Sequence, residues 1–140
     1  MTYQHKVQYY ETDRMGITHH SNYIRFMEEA RTEWMESMGM GYDEFESLGL
    51  TSPMLSVSCN YKKPTTYGDH IDIAIYIQDC AHLKIRVAYV MTCRGEVVCT
   101  GESSDCIMDA NGRPVSLKKS YPELYANYEA YHQNQGDYKL

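Results

Sequence analysis

The run Asp13-Arg14-Met15-Gly16-Ile17-Thr18-His19-His20-Ser21-Asn22 sets a carboxylate, a glycine and two adjacent imidazoles directly ahead of a long helical pattern. An ionised carboxylate accepts a proton from water or attacks a carbonyl carbon itself, and an imidazole carries protons in either direction. The first N–H groups of a helix have no partner inside it and lie at the positive end of its dipole. A carboxylate beside such donors is equipped to attack a carbonyl, because the donors meet the negative charge that grows on its oxygen. Two plainer readings compete. An aspartate ahead of a glycine is commonly a turn former. The pair His19-His20 with Asp13 also suggests a metal, but adjacent residues on extended backbone point to opposite faces, so no metal is expected.

Positioning these groups takes a strand, a turn and a helix. Residues 2–10 read as a first strand that must stop before Asp13, because Gly16 lets the backbone turn at little steric cost. Ser21 or Asn22 is expected to cap the helix that follows. That helix, residues 21–38, places Tyr23, Met27, Ala30, Trp34 and Met38 at steps of three and four, and Ile24, Phe26 and Met35 widen the stripe. A helix apolar over so much of its circumference is expected to be wrapped by other elements. Gly39 and Gly41 end it, and a short polar helix from Tyr42 to Leu48 stops at Gly49.

From Ser52 the period changes to two. Leu55, Val57, Cys59 and Tyr61 alternate with small or polar residues until Lys62-Lys63-Pro64 closes the strand. Tyr67-Gly68-Asp69 turns into Ile71, Ile73, Ile75 and Ile77; Leu83 to Cys93 and Val97 to Met108 follow, joined as a hairpin at Arg94-Gly95-Glu96. A turn at Asp109-Ala110-Asn111-Gly112 leads past Arg113-Pro114 to a tail helix, about Tyr121 to His132, carrying Leu124, Tyr125 and Tyr128. The order predicts one α+β layer pair: a strand, a long helix, then four antiparallel strands.

Composition narrows the partners. A chain of 140 residues is one domain. A net charge of −6 argues against nucleic acid or an anionic membrane as the main partner. The first residues, Met1 to Lys6, carry no apolar leader segment, and no run reaches the length of a membrane span. Cys59, Cys80, Cys93, Cys99 and Cys106 are odd in number and form no CxxC pair, so they read as reduced thiols packed in strands and point to the cytoplasm.

The residues Glu11 to Tyr23, with Glu29-Ala30-Arg31-Thr32-Glu33 on the helix, resemble the hotdog-fold acyl-CoA thioesterases of the 4-hydroxybenzoyl-CoA thioesterase-like branch. The likeness runs on through Pro64, Tyr67-Gly68-Asp69, Thr100-Gly101-Glu102, Asp109 and Gly112-Arg113-Pro114, nearly the whole chain in order. Arg14-Met15 fills positions that vary between branches, and Thr65 stands where a small residue is common. The resemblance implies a long central helix gripped by a curved antiparallel sheet of about five strands, residues 1–140 as a single hotdog domain, and a homodimer or homotetramer built by pairing edge strands. It implies hydrolysis of an acyl-CoA to a free acid and coenzyme A. Asp13 would be base or nucleophile, His20 the assisting group, and helix-start amides the oxyanion donors. Coenzyme A would enter only as part of the substrate, with no other cofactor.

Gly16, Tyr23, Lys62, Lys63 and Arg113 are the expected substrate contacts, the three cations (with Lys118 and Lys119 nearby) being candidates for the nucleotide phosphates. Each cation alone reads more readily as plain surface charge. Tyr9, Tyr10, Tyr61 and Tyr67 could join Tyr23 in an acyl pocket or serve as interface packing. Glu28, Glu29 and Glu33 read as a solvated helix face, although a related hotdog branch uses a helix carboxylate for the same chemistry. A carrier-protein thioesterase and a non-catalytic acyl-CoA-binding protein are the alternatives. A hotdog dehydratase would bring a second His-Asp signature, which is not found.

Overall fold

A computed structural model describes residues 2–80 and 82–137; Met1 and residues 138–140, the ends of the expected single domain, lie outside the described residues. The elements run β1 (Thr2–Lys6), a 3-10 turn (Tyr9–Glu11), α1 (Asn22–Ser37), α2 (Tyr42–Ser47), β2 (Met54–Tyr61), β3 (His70–Asp79), β4 (Lys84–Cys93), β5 (Glu96–Cys106), α3 (Leu117–Ser120) and α4 (Pro122–Asn134). The first strand is shorter than the expected 2–10. Past Lys6 the chain turns instead of extending, because Glu11 buries its carboxylate and takes the Gln8 amide at 2.7 Å. The short α3 was not foreseen, since four residues carry no helical period.

All five strands form one antiparallel sheet in the order β1-β3-β4-β5-β2. Period-two patterning builds its centre: Ile71, Ile73, Ile75 and Ile77 are all buried on β3. The β4–β5 hairpin closes at Arg94-Gly95, both with positive φ (53° and 77°), the geometry of a two-residue turn that matches strand twist. Because β2 and β3 are not neighbours, residues 62–69 cross one end of the sheet, and the Asp13 loop sits on that crossing.

Helix α1 lies on the sheet with Tyr23, Phe26, Met27, Ala30, Trp34 and Met35 buried, and turns Arg25, Glu28, Glu29, Glu33 and Glu36 outward. Each large apolar side chain so buried contributes about 1.5–3 kcal/mol. Met27 sits directly over Gly101, where an added Cβ would come within 2.8 Å of its sulfur and 3.0 Å of the Ser58 carbonyl. The helix is covered on one side only, and Ile24 stays exposed. Likewise Leu55, Val57 and Tyr61 of the alternating row on β2 are exposed, because β2 is a sheet edge.

Arg31 and Asp105 form the one buried ion pair between α1 and the sheet among the described residues, at 2.9 Å. Arg31 also donates to Tyr42 Oη (2.7 Å) and Ser52 Oγ (2.8 Å), and Ser52 donates to Asp105. Burial pushes the Asp105 carboxyl up, against the pull of Arg31 and Ser52. Removing one partner strands the other charge in a dry interior. Asp105→Ala is therefore expected to lower the unfolding free energy by about 3–5 kcal/mol in urea titration. A loss no larger than that of an exposed pair, below about 1 kcal/mol, would refute the role given to this contact.

Candidate active site

The loop carrying Asp13 is a closed hairpin. Thr12 and Thr18 form a bridge, the Asp13 amide donates to Ile17 O (2.9 Å), and the Gly16 amide returns to Asp13 O (2.9 Å). Gly16 has φ +81°, so the turn needs a residue without a Cβ. Asp13 is half-buried, and its Oδ1 accepts the Met15 amide at 2.8 Å. Its Oδ2 has no hydrogen-bond partner among the described residues and remains available for chemistry. The turn-former and acid readings are thus compatible: one oxygen holds the turn, the other is free.

The helix tip is built differently from expectation. Neither Ser21 nor Asn22 caps it with a side-chain oxygen. Ser21 Oγ is bound to His19 Nδ1 (2.8 Å), and Asn22 Nδ2 donates to Glu11 O (2.9 Å). The amides of Asn22 and Tyr23 close onto the carbonyls of His19 and His20 at 3.0 and 3.3 Å, and the His19 amide donates to Glu11 O at 2.8 Å. Among the described residues the His20 amide has no hydrogen-bond partner, while the Ser21 amide rests on His19 Nδ1 at 3.3 Å. The His19 and His20 rings also depart from the expected opposite faces. Their centroids lie 4.2 Å apart, because the backbone is already turning into the helix. No three His, Cys, Asp or Glu side chains gather around them to hold a metal among the described residues.

A cleft of about 390 Å³ opens at this point, lined by Asp13, His20, Tyr23, Tyr61 and the Lys62-Lys63-Pro64 end of β2. Behind it runs a buried hydroxyl chain: Tyr23 Oη to Thr65 Oγ1 (2.9 Å), Thr65 to Thr18 (2.6 Å), with the Thr18 amide on Thr65 O (2.8 Å). Burial raises the Tyr23 phenol, against the opposing Thr65 hydrogen bond, so it stays neutral. Tyr61 donates to the His20 carbonyl at 2.9 Å, fixing the tip from the sheet side. Lys63 is held by Glu96 at 2.6 Å, which leaves Lys62 the freer cation.

Gly16 shapes the loop without lining the cleft. Arg113 lies past the 109–112 turn, bound to Asp109, and Lys118 and Lys119 sit on α3; none of the three lines the cleft. Of the tyrosines read as pocket candidates Tyr61 joins Tyr23 at the cleft and Tyr9, Tyr10 and Tyr67 do not, while Glu11, Thr18 and Thr65 are structural partners of the site to which pattern reading gave no role. A threonine carries no spacing signal, and only the position of Glu11 two residues before Asp13 could have marked it.

A long helix laid across a five-stranded antiparallel sheet, with an acid loop at the helix tip, defines the hotdog class of thioesterase folds. Residues 7–127 match the Thioesterase-like superfamily, and the chain belongs to that family. A Bacillus subtilis protein provisionally named acyl-CoA thioesterase YneP is 32% identical over 126 residues, 89% of this chain and 91% of its own. An Aquifex aeolicus protein provisionally named an esterase is 34% identical over 122 residues, 87% of this chain and 94% of its own. A Staphylococcus aureus protein solved in complex with CoA superposes with a TM-score of 0.90 at 20% identity, covering 99% of this chain and 87% of that one. The expected fold and the expected chemistry, hydrolysis of a thioester, are those of the family.

One further side chain, on the strand that carries Tyr61, is a thiol whose surroundings shift its titration. Cys59 is half-buried on β2, and a hydrogen bond from the Cys99 thiol brings it down to about 7 against the effect of burial, while Cys99 itself is pushed up. The thiolate is the nucleophile, so reactivity should rise with pH through that value. Iodoacetamide followed by mass spectrometry is expected to modify Cys59 ahead of the buried cysteines, with a half-maximal rate near pH 7. Labelling led by another cysteine, or a rate still climbing steeply above pH 8.5, the ordinary thiol range, would contradict it.

Proposed function

We propose that this protein hydrolyses acyl-CoA thioesters to a free carboxylic acid and coenzyme A, with Asp13 as the catalytic carboxylate. The observation that carries the reading is the shared cleft: a carboxylate oxygen without a partner, the tip of α1 and two lysines line one space. A thioester carbonyl seated there accepts the His20 amide at the tip. A fixed donor of this kind lowers the barrier by about 3 kcal/mol. Asp13 Oδ2 takes a proton from an attacking water, or attacks the carbonyl carbon and forms a mixed anhydride that water then cleaves. Either way the carbon–sulfur bond breaks and the thiolate leaves toward His20, which supplies a proton. Lys62, with Lys63 beside it, offers the charge that the nucleotide phosphates of coenzyme A require. Five free cysteines accord with the reducing cytoplasm as the site of action.

The quaternary reading follows from β2. Its outer edge is unpaired, and Met54, Leu55, Val57 and Tyr61 are each at least 40% exposed. A second copy pairing along β2 would satisfy the backbone and cover this row, giving a homodimer with the cleft at the subunit boundary.

Asp13→Asn keeps the size of the side chain and removes its charge. Thiol release from a panel of aliphatic and aromatic acyl-CoAs is expected to fall about a hundredfold or more with KM little changed. An unchanged rate would end the assignment of Asp13, and no release by the wild type from any acyl-CoA would favour a binding role. Sedimentation should give a dimer, converted toward monomer by Val57→Glu. A monomeric wild type would remove the edge-pairing reading.

A further inference from the structure

The Asp13 loop and the tip of α1 are joined through one residue that no step of the hydrolysis touches. The carbonyl oxygen of Glu11 accepts the His19 amide at 2.8 Å and Asn22 Nδ2 at 2.9 Å, so the residues on both sides of His20 hang from it. Two positions further on, the same backbone presents Asp13. The carboxylate of Glu11 faces the other way and is 6% exposed. It accepts the Gln8 amide at 2.7 Å and pairs with His5 Nε2 at 2.8 Å. His5, at the end of β1, is stacked on Phe26 of α1 with ring centroids 4.0 Å apart. Its Nδ1 stands 3.4 Å from Glu29 of α1, which also accepts the Tyr3 hydroxyl at 3.1 Å. Thus β1, the 3-10 turn and α1 meet at one buried imidazole with a carboxylate at each ring nitrogen.

A buried polar contact of this kind is a poor device for stability, because desolvation offsets most of the attraction. What it does supply is direction. With both carboxylate and carbonyl engaged, Glu11 cannot rotate without breaking bonds to the His5 ring and the Gln8 amide on one side and the helix tip on the other. A misplacement of about 1 Å between reacting groups costs on the order of a hundredfold in rate. We propose that Glu11, seated by His5, is the positioning residue of this site: it sets the separation between the Asp13 carboxylate and the His20 amide. This rests on the reading of Asp13 as base or nucleophile.

The test is a cycle of four proteins, wild type, Glu11→Ala, Asp13→Asn and the double variant. The measurement is kcat and KM per folded molecule on the best acyl-CoA of the panel, with the folded fraction taken from circular dichroism. Glu11→Ala is expected to lower kcat by about 10- to 100-fold with KM within about threefold. Glu11→Gln recovers most of that loss, since an amide oxygen still accepts the Gln8 N–H. In the Asp13→Asn background Glu11→Ala should lose most of its effect, because no carboxylate remains to be placed. A merely structural Glu11 would instead multiply the two separate losses, and that result would overturn the proposal. So would Glu11→Ala at the wild-type rate while Asp13→Asn is inactive, which leaves the Asp13 reading intact. Asp13→Asn at the wild-type rate brings down both. Where Glu11→Ala does not fold, His5→Gln takes its place in the same cycle with the same outcomes.

Discussion

The helix tip has no cap of its own, and the geometry of the site follows from that. A capped helix start is registered locally, by a side chain one residue away. Here Ser21 is turned to His19, and Asn22 reaches back to Glu11. The tip is therefore located by long-range contacts: α1 seated on the sheet through Met27 over Gly101, Tyr61 on the His20 carbonyl, and Glu11 on the His19 amide. Each contact crosses between elements, so the His20 amide stays unpaired only while the whole fold is in place.

The crossing connection after β2 does the complementary work on the loop. Thr65 lies on it and takes Thr18 by both backbone and hydroxyl, while Thr66 donates to the Gly16 carbonyl at 2.7 Å. Asp69, at its far end, accepts the Thr66 amide at 2.9 Å and is paired with Arg94 of the β4–β5 turn. The Asp13 loop is thus fastened to a segment that is itself fastened to the sheet. Charge is distributed to match. The acidic residues of α1 face away from the cleft, and the cations at its mouth sit at the end of β2, so a chain of net charge −6 still offers an anionic ligand a positive approach.

Much of this was legible in the residues. The isoleucine alternation from 71 to 77 and the stripe from Tyr23 to Trp34 specify their elements because burial on one face leaves a period. Asp13, His20, Tyr23, Lys62 and Lys63 come together as their motif implies. What stayed hidden has a common cause. The end of β1 at Lys6, the missing cap at Ser21 and the hydroxyl chain through Thr65 are decided by partners distant in sequence, and single polar residues leave no periodic trace. The exposure of the β2 row is hidden for another reason: its period specifies a strand, and the pattern does not say whether either face is covered.

The two open margins of the sheet are treated in contrary ways, and the contrast bears on function. Strand β1 pairs with β3 only as far as Ala74, and α4 takes over the rest: Tyr131 donates to Ile75 O at 2.7 Å, and the Gln135 amide binds Ile77 N and O at 2.7 and 2.9 Å. An unpaired strand margin invites association, and here it is blocked by side chains that imitate a neighbouring strand. At β2 no such device is present among the described residues, and the margin carries apolar side chains. The same strand supplies Tyr61 to the cleft and to the His20 carbonyl. The fold thus covers the part of β3 that β1 leaves unpaired, while the β2 margin beside the cleft keeps its apolar side chains exposed. Any shift of β2 is carried through the Tyr61 hydroxyl to the His20 carbonyl at the tip of α1.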